Sequence, residues 1–132
     1  MANEPAELMV ETELPIMMKC ADSAIPKGTI LHLSGNFTVA AATANESVFG
    51  GIAAEEKISG DGKTMISVYR GGLFKCVAGA GDVSLGLPVG IVAANAFTDF
   101  ATLDDEKGAI FGVALEVAAD TEFFILDLGR NT

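Results

Sequence analysis

The sequence predicts an all-β protein: a compact β-clip or barrel-like domain built of two related β units, preceded by an extended N-terminal arm. Three observations predict it. The first is a loose internal repeat. Ile25-Pro26-Lys27-Gly28-Thr29-Ile30-Leu31 reappears as Val83-Ser84-Leu85-Gly86-Leu87-Pro88-Val89, and Thr64-Met65-Ile66-Ser67-Val68-Tyr69-Arg70-Gly71 reappears as Glu122-Phe123-Phe124-Ile125-Leu126-Asp127-Leu128-Gly129, both 58 residues on. Between them, Phe49-Gly50-Gly51-Ile52-Ala53-Ala54-Glu55 echoes Phe111-Gly112-Val113-Ala114-Leu115-Glu116 at a slightly longer offset, so a gap opens and closes again. Self-similarity at a constant spacing marks a repeated structural unit. The second observation is a series of short apolar runs separated by turn residues at roughly 8–12-residue spacing, the pattern of sandwiches and barrels. The third is the lack of any long helical stripe: the best window, Val113 to Ala119, is short and flanked by strand-like sequence.

The elements follow in order. Residues 1–20 are read as the arm and a first strand. Glu4, Pro5 and Glu7 suit a mobile start, and Leu8-Met9-Val10 an extended segment. Pro15 to Cys20 reads as the first strand. Residues 21–132 are read as one all-β domain with the pseudo-repeat dividing into 25–82 and 83–132. Ile25 to Gly28 turns into a strand over Thr29–Leu33. Ser34-Gly35-Asn36 turns again into Phe37–Val39, and Ala40 to Ser47 is a loop. Val48 to Ala54 is a strand whose paired glycines imply a bulge or a close backbone approach. Ser59-Gly60-Asp61-Gly62-Lys63 is a hairpin turn, because Gly supplies positive φ and Asp tolerates it. Thr64–Tyr69 and Leu73–Val77 are strands, and Gly79 to Asp82 leads into the second copy. There Leu87–Ala93, Ala109–Glu116 and Glu122–Leu128 are strands and Phe97–Leu103 is another or an irregular crossing, with an acidic loop at Asp104-Asp105-Glu106-Lys107-Gly108.

Composition narrows the function. Half of the 132 residues are hydrophobic, enough for a real core at this length. Eighteen acidic residues against eight basic ones leave a net charge of −10. Such a surface repels phosphate backbones and has no electrostatic attraction to an anionic bilayer, so neither nucleic acid nor a membrane is an expected partner. The acidic start lacks the basic stretch of a secretory signal, and the apolar run from Leu85 to Ala96 is too short to cross a bilayer. Cys20 and Cys76 are expected as free, packed thiols, a bridge being the alternative.

No reactive constellation stands out. Gly60-Asp61-Gly62-Lys63-Thr64 has Lys57 where a phosphate loop needs glycine, and strand-like sequence follows. Gly79-Ala80-Gly81-Asp82-Val83-Ser84 has Ser84 where a dinucleotide fingerprint needs its third glycine. Asp104, Asp105 and Glu106 lack the spacing of a calcium loop. His32 is the only histidine and has no partner ligand of its kind, so no metal or cofactor is expected. Lys75 and Cys76 are neighbours on a strand and point to opposite faces, which leaves Cys76 a packed thiol rather than a nucleophile. An acidic pair such as Asp104 with Glu116 is the remaining enzymatic reading, and any acidic protein offers such pairs. The arm is the one stretch with a positive signal. Apolar Leu8, Met9, Val10 and Leu14 alternate with Glu7, Glu11 and Glu13, which suits either an edge strand added to a partner's sheet or an internal first strand. Leu8, Met9, Val10, Glu11 and Leu14 are therefore the candidate partner-binding residues.

The segment Ile25 to Leu31, the Gly-Ile-Ala at Gly51, the run Tyr69-Arg70-Gly71-Gly72-Leu73-Phe74, the segment Val83 to Val89 and Phe111-Gly112-Val113-Ala114-Leu115-Glu116 together resemble small head-decoration proteins of tailed phages and related viruses. The resemblance covers most of residues 24–129. It implies a β-clip or barrel-like homotrimer that sits on the outside of an expanded capsid and reinforces it, with the major capsid protein as partner, no cofactor and no catalytic residue. It implies a virion location after synthesis in the host cytoplasm, and an N-terminal segment that orders on contact with the shell. The Pro-Lys-Gly-Thr-Ile-Leu segment also looks like the opening of β-clip domains of the antifreeze-like kind. The alternative it implies is a ligand- or carbohydrate-binding module within a larger assembly. A scarcity of exposed-type aromatics, with no Trp and a single Tyr, speaks against that alternative.

Overall fold

Alternation of apolar and polar residues becomes strand wherever one face can be buried. A computed structural model describes residues 5–43, 48–79, 81–99 and 110–129. Among them the regular elements are all strands: β1 (Glu7–Val10), β2 (Ile16–Lys19), β3 (Ile30–Gly35), β4 (Thr38–Ala41), β5 (Phe49–Ala53), β6 (Met65–Tyr69), β7 (Gly72–Ala78), β8 (Pro88–Ala93), β9 (Ala96–Asp99), β10 (Gly112–Ala114) and β11 (Phe123–Leu128). The acidic loop expected at residues 104–108 lies outside the described residues, as does the end of the strand or crossing expected over Phe97–Leu103.

The strands close into two small barrels. The first runs β2-β4-β3-β5-β6, with β6 returning antiparallel to β2 and β2 meeting β4 in parallel. The second runs β7-β11-β10-β8-β9, with β9 returning to β7 in parallel. Closure leaves few free edges, which suits a protein with so little helix to cover them. The parallel closures are equivalent: Lys19 faces Thr38 in the first barrel, and Val77 faces Ala96 in the second, each 58 residues on. The repeat thus extends upstream of residues 25 and 83 to include β2 and β7. The join between units lies between Tyr69 and Gly72, not at Gly79–Asp82. Glycine punctuation near 80 is a turn inside the second barrel, where Val83 bridges Ala118 as Ile25 bridges Lys57.

Core residues obey the same register. Met18, Cys20, Ile25, Leu31, Val39, Ile66 and Val68 are buried in the first barrel, and Cys76, Ala78, Val83, Val89, Phe97, Phe124 and Leu126 at the matching positions in the second. Fully burying a side chain of the Val, Leu or Phe type contributes roughly 1.5–3 kcal/mol, so these matched positions stabilise both units. The second core is the larger and the more aromatic. Phe97 packs edge-on against both Phe111 and Phe124, at centroid distances of 5.7 and 6.1 Å.

The gap in the repeat opens between β4 and β5, where Val39 and Phe49 are 10 positions apart and their counterparts Phe97 and Phe111 are 14 apart. It narrows at a bulge in the first copy, where Leu31 faces Gly51 and His32 faces Phe49, leaving Gly50 unpaired. Paired glycines are needed here. A Cβ on Gly51 would collide with the carbonyl oxygen of Tyr69, and its φ of 139° is disfavoured for other residues. Gly112, its counterpart, would collide in the same way with the carbonyl oxygen of Asp127. The gap closes in the hairpin between Lys57 and Met65, which is longer than the turn between Ala118 and Phe123.

Candidate functional site

The N-terminal arm packs on its own chain. β1 runs antiparallel to the first half of β7, with Glu7 opposite Lys75, Leu8 opposite Phe74 and Val10 opposite Leu73. β9 occupies the second half of the same edge. Ala6 is buried, and its N–H donates to the carbonyl of Gly28 in the first barrel at 3.0 Å. The arm is thus an internal edge strand that spans both barrels. Leu8 faces the shared core, while Met9, Val10 and Leu14 are exposed, Leu14 at 76%. Glu11 accepts a hydrogen bond from the Tyr69 hydroxyl at 3.0 Å. Partial burial and then this acidic neighbour push the Tyr69 phenol above its ordinary pKa. The five candidate residues therefore divide: Leu8 and Glu11 hold the arm down, and Met9, Val10 and Leu14 present apolar surface.

Beneath the arm the barrels share one core. Ile30, Ala42 and Ile52 of the first barrel pack into the same cluster as Phe74, Phe97, Phe111 and Phe124 of the second, with Phe49 and Tyr69 against its edge. Phe49 meets Phe111 edge-on at 5.1 Å, and Tyr69 meets Phe74 at 5.6 Å. Such pairs add about 0.5–1.5 kcal/mol beyond their burial. Arg70, in the connection between barrels, lies over the Phe49 ring at 4.6 Å and donates from Nε to the Gly50 carbonyl at 3.1 Å. A polar contact crosses the junction: the Ile30 N–H donates to Oδ1 of Asn95 at 2.9 Å. Asn95 sits in the β8–β9 turn with φ 58°, a conformation asparagine tolerates.

At one end of the first barrel lies an ion cluster that sequence reading did not single out. Lys57 is buried, and its ammonium donates to Asp22 at 2.5 Å, to Asp61 at 2.7 Å and to the Ile58 carbonyl at 2.7 Å. Asp22 also accepts from the N–H groups of Gly60 and Gly62, and Asp61 from that of Lys63. Burial works against the charge on Lys57, but the two carboxylates outweigh it and hold its pKa above the ordinary lysine value. The Lys57 hydrogen bond is the chief cause holding both Asp22 and Asp61 below the usual carboxylate range. This is the structural role of the Gly60-Asp61-Gly62-Lys63 turn: it wraps a lysine, not a phosphate. A signal existed in the repeat, because Lys57 stands where the second copy has Ala118, beside the longer hairpin.

The two candidate thiols are packed, and Asp104 of the acidic pair lies outside the described residues. Cys20 and Cys76 are both free and buried, one in each core, and burial raises both thiol pKa values. His32 is half-buried, with Nδ1 lacking a partner. Among the described residues no group of His, Cys, Asp or Glu is arranged to hold a metal ion, and no helix is long and apolar enough to cross a membrane. Asp99 accepts from both the N–H and the hydroxyl of Ser84, at 2.8 and 2.7 Å, tying β9 to the turn before β8.

No family model matches the chain, and no curated protein matches it. A solved structure does: the N base of the head fibre gp8.5 of bacteriophage phi29, with a TM-score of 0.56 at 18% sequence identity. The match covers 94% of this chain and 98% of that one. What the two share at that identity is the fold, over nearly the whole of both chains.

Proposed function

We propose that the protein is a non-enzymatic structural component of a phage head, a homotrimer that binds the outside of the capsid through the major capsid protein and stabilises the shell. The observation that carries this reading is the near-complete overlap with a head-fibre base, which leaves little of either chain unaccounted for. A shell under internal pressure is stabilised by any protein that binds the assembled lattice and not its dissociated parts. Such a protein needs a stiff body and a soluble surface, and two closed barrels with a net charge of −10 supply both. That charge also disfavours nucleic acid as a partner. Met9, Val10 and Leu14 on the arm offer exposed apolar contacts for the shell.

The test is binding to expanded, empty capsids of the source phage, followed by sedimentation and by thermal disruption of the loaded particles. Saturable binding with a raised disruption temperature is expected. A protein that leaves every capsid preparation unbound at saturating concentration removes the reading. A glycan array serves as the second arm, since specific hits there would favour a carbohydrate-binding module instead.

A further inference from the structure

The two barrels are joined head to tail, and the repeat shows which surface each one leaves unused. The first barrel offers the face that carries Ile30, and the second receives it with the turn that carries Asn95. The matching positions 58 residues away are Pro88, on the second barrel, and Phe37, in the β3–β4 turn of the first. Among the described residues both positions are open to solvent to some degree: Phe37 is 54% exposed, Pro88 is half-buried, and Leu87 beside it is 44% exposed. Inside the junction the counterparts of Leu87 and Pro88 are buried, Thr29 at 5% and Ile30 at 0%, while Asn95, the counterpart of Phe37, is half-buried.

The substitutions at these positions are complementary. Inside the chain, an N–H donor (Ile30) faces a side-chain acceptor (Asn95). At the unused surfaces the donor has become proline, which has no N–H, and the acceptor has become phenylalanine, which has no acceptor. Losing either group alone would leave the other unsatisfied when the surfaces met, at a cost; losing both converts a polar contact into an apolar one. A second observation concerns Phe37 itself. It holds φ 51°, the left-handed region that asparagine and glycine enter readily and a bulky aromatic does not. The turn sets this φ in both copies, and phenylalanine in place of asparagine adds strain there while leaving the ring exposed. Ile16 sharpens the point: it occupies the position of the buried Phe74, yet it is 42% exposed.

We infer that copies of this chain associate head to tail, the Phe37 turn of one copy seating on the Pro88 face of the next, so that the contact inside each chain is repeated between chains. A heterologous contact of this kind leaves no surface unused only when the copies close a ring. The inference rests on the self-association in the proposed function and not on the capsid, so the two fail separately: one in a mass measurement of the free protein, the other in capsid binding.

The test uses the full chain and two surface variants, Phe37→Asp and Leu87→Asp, with native mass spectrometry and analytical ultracentrifugation as readouts. Wild type is expected as a discrete oligomer. Each variant alone loses association by at least about tenfold, a difference of roughly 1.4 kcal/mol. Mixed together they form a one-to-one dimer and nothing larger, since one retains the Pro88 face and the other the Phe37 turn. A monomeric wild type at millimolar concentration overturns the inference, and so does a mixture that forms no dimer while circular dichroism shows both variants folded. The double variant Phe37→Asn with Pro88→Ile restores the internal pair of groups and is expected to associate more tightly than either of its single components. Equal or weaker association counts against the register.

Discussion

The same barrel is built twice in this chain, and the two versions are secured differently at the end where Ile25 and Val83 make their bridges. In the first barrel the bridge partner is Lys57, locked between Asp22 and Asp61. In the second it is Ala118, and the turn that follows is short enough to need no clamp. The cores differ in parallel: aliphatic Val39 and Ile66 on one side, Phe97 and Phe124 on the other. A small, less aromatic core is compensated by electrostatics at its open end, and a larger aromatic core manages with a tight turn. Equivalent backbones therefore do not imply equivalent sources of stability.

The largest way to break that comparison is to empty the cores at a matched position. Phe124→Ala is expected to cost about 3–5 kcal/mol and Ile66→Ala about 2–5 kcal/mol, with Phe124→Ala the worse, read by urea unfolding. Because Ile30 and Ile52 belong to the second barrel's cluster, each variant should unfold in one transition. Two separated transitions would show that the barrels are independent. Next in size are the close approaches: Gly51→Ala and Gly112→Ala each drive a methyl group into a carbonyl of the neighbouring strand, for about 1–3 kcal/mol. Gly51→Ala is expected to be the more costly, since its φ is also positive.

The most diagnostic effect is expected from Lys57→Met, which leaves Asp22 and Asp61 without their shared cation. Asp22 and Asp61 have folded pKa values below their ordinary value of 3.8, so the folded protein binds fewer protons than the unfolded chain as pH falls. Their contribution is complete above that value and is lost as pH falls through the folded values. The wild-type melting temperature should therefore drop below about pH 4 from this cluster, and the Lys57→Met variant should lose that part of the acid sensitivity. An unchanged acid limb in the variant would show that the cluster does not set it.

Much of this architecture was legible because a repeat states its own register. The 58-residue spacing marked the duplicated strands, and Gly50-Gly51 marked the bulge, since only a bulge or a close approach calls for two glycines inside a strand. The upstream extent of the repeat was not legible: β2 and β7 share a pairing pattern but little sequence, Ile16-Met17-Met18-Lys19 against Phe74-Lys75-Cys76-Val77. The location of the arm was hidden for a related reason. An alternating strand looks the same whether its partner is its own sheet or another's, and the answer lay with β7, far along the chain. Lys57 escaped notice because a buried charge has no pattern of its own; its partners come from separate loops and meet only when folded. The surfaces proposed for self-association were visible in principle as Phe37 against Asn95 and Pro88 against Ile30. They acquire meaning only once the folded chain shows which of the two pairs is in contact.

The arm has one consequence for how the protein is made. β1 leaves the ribosome well before its partner β7, which emerges only after the whole first barrel has been synthesised. Until then Leu8, Met9 and Val10 are an unpaired apolar strand, the kind of segment that mispairs with neighbouring nascent chains. The glutamates at positions 7, 11 and 13 that flank it are well placed as gatekeepers during that wait, so part of the arm's sequence answers to a hazard of biosynthesis that the finished fold no longer displays.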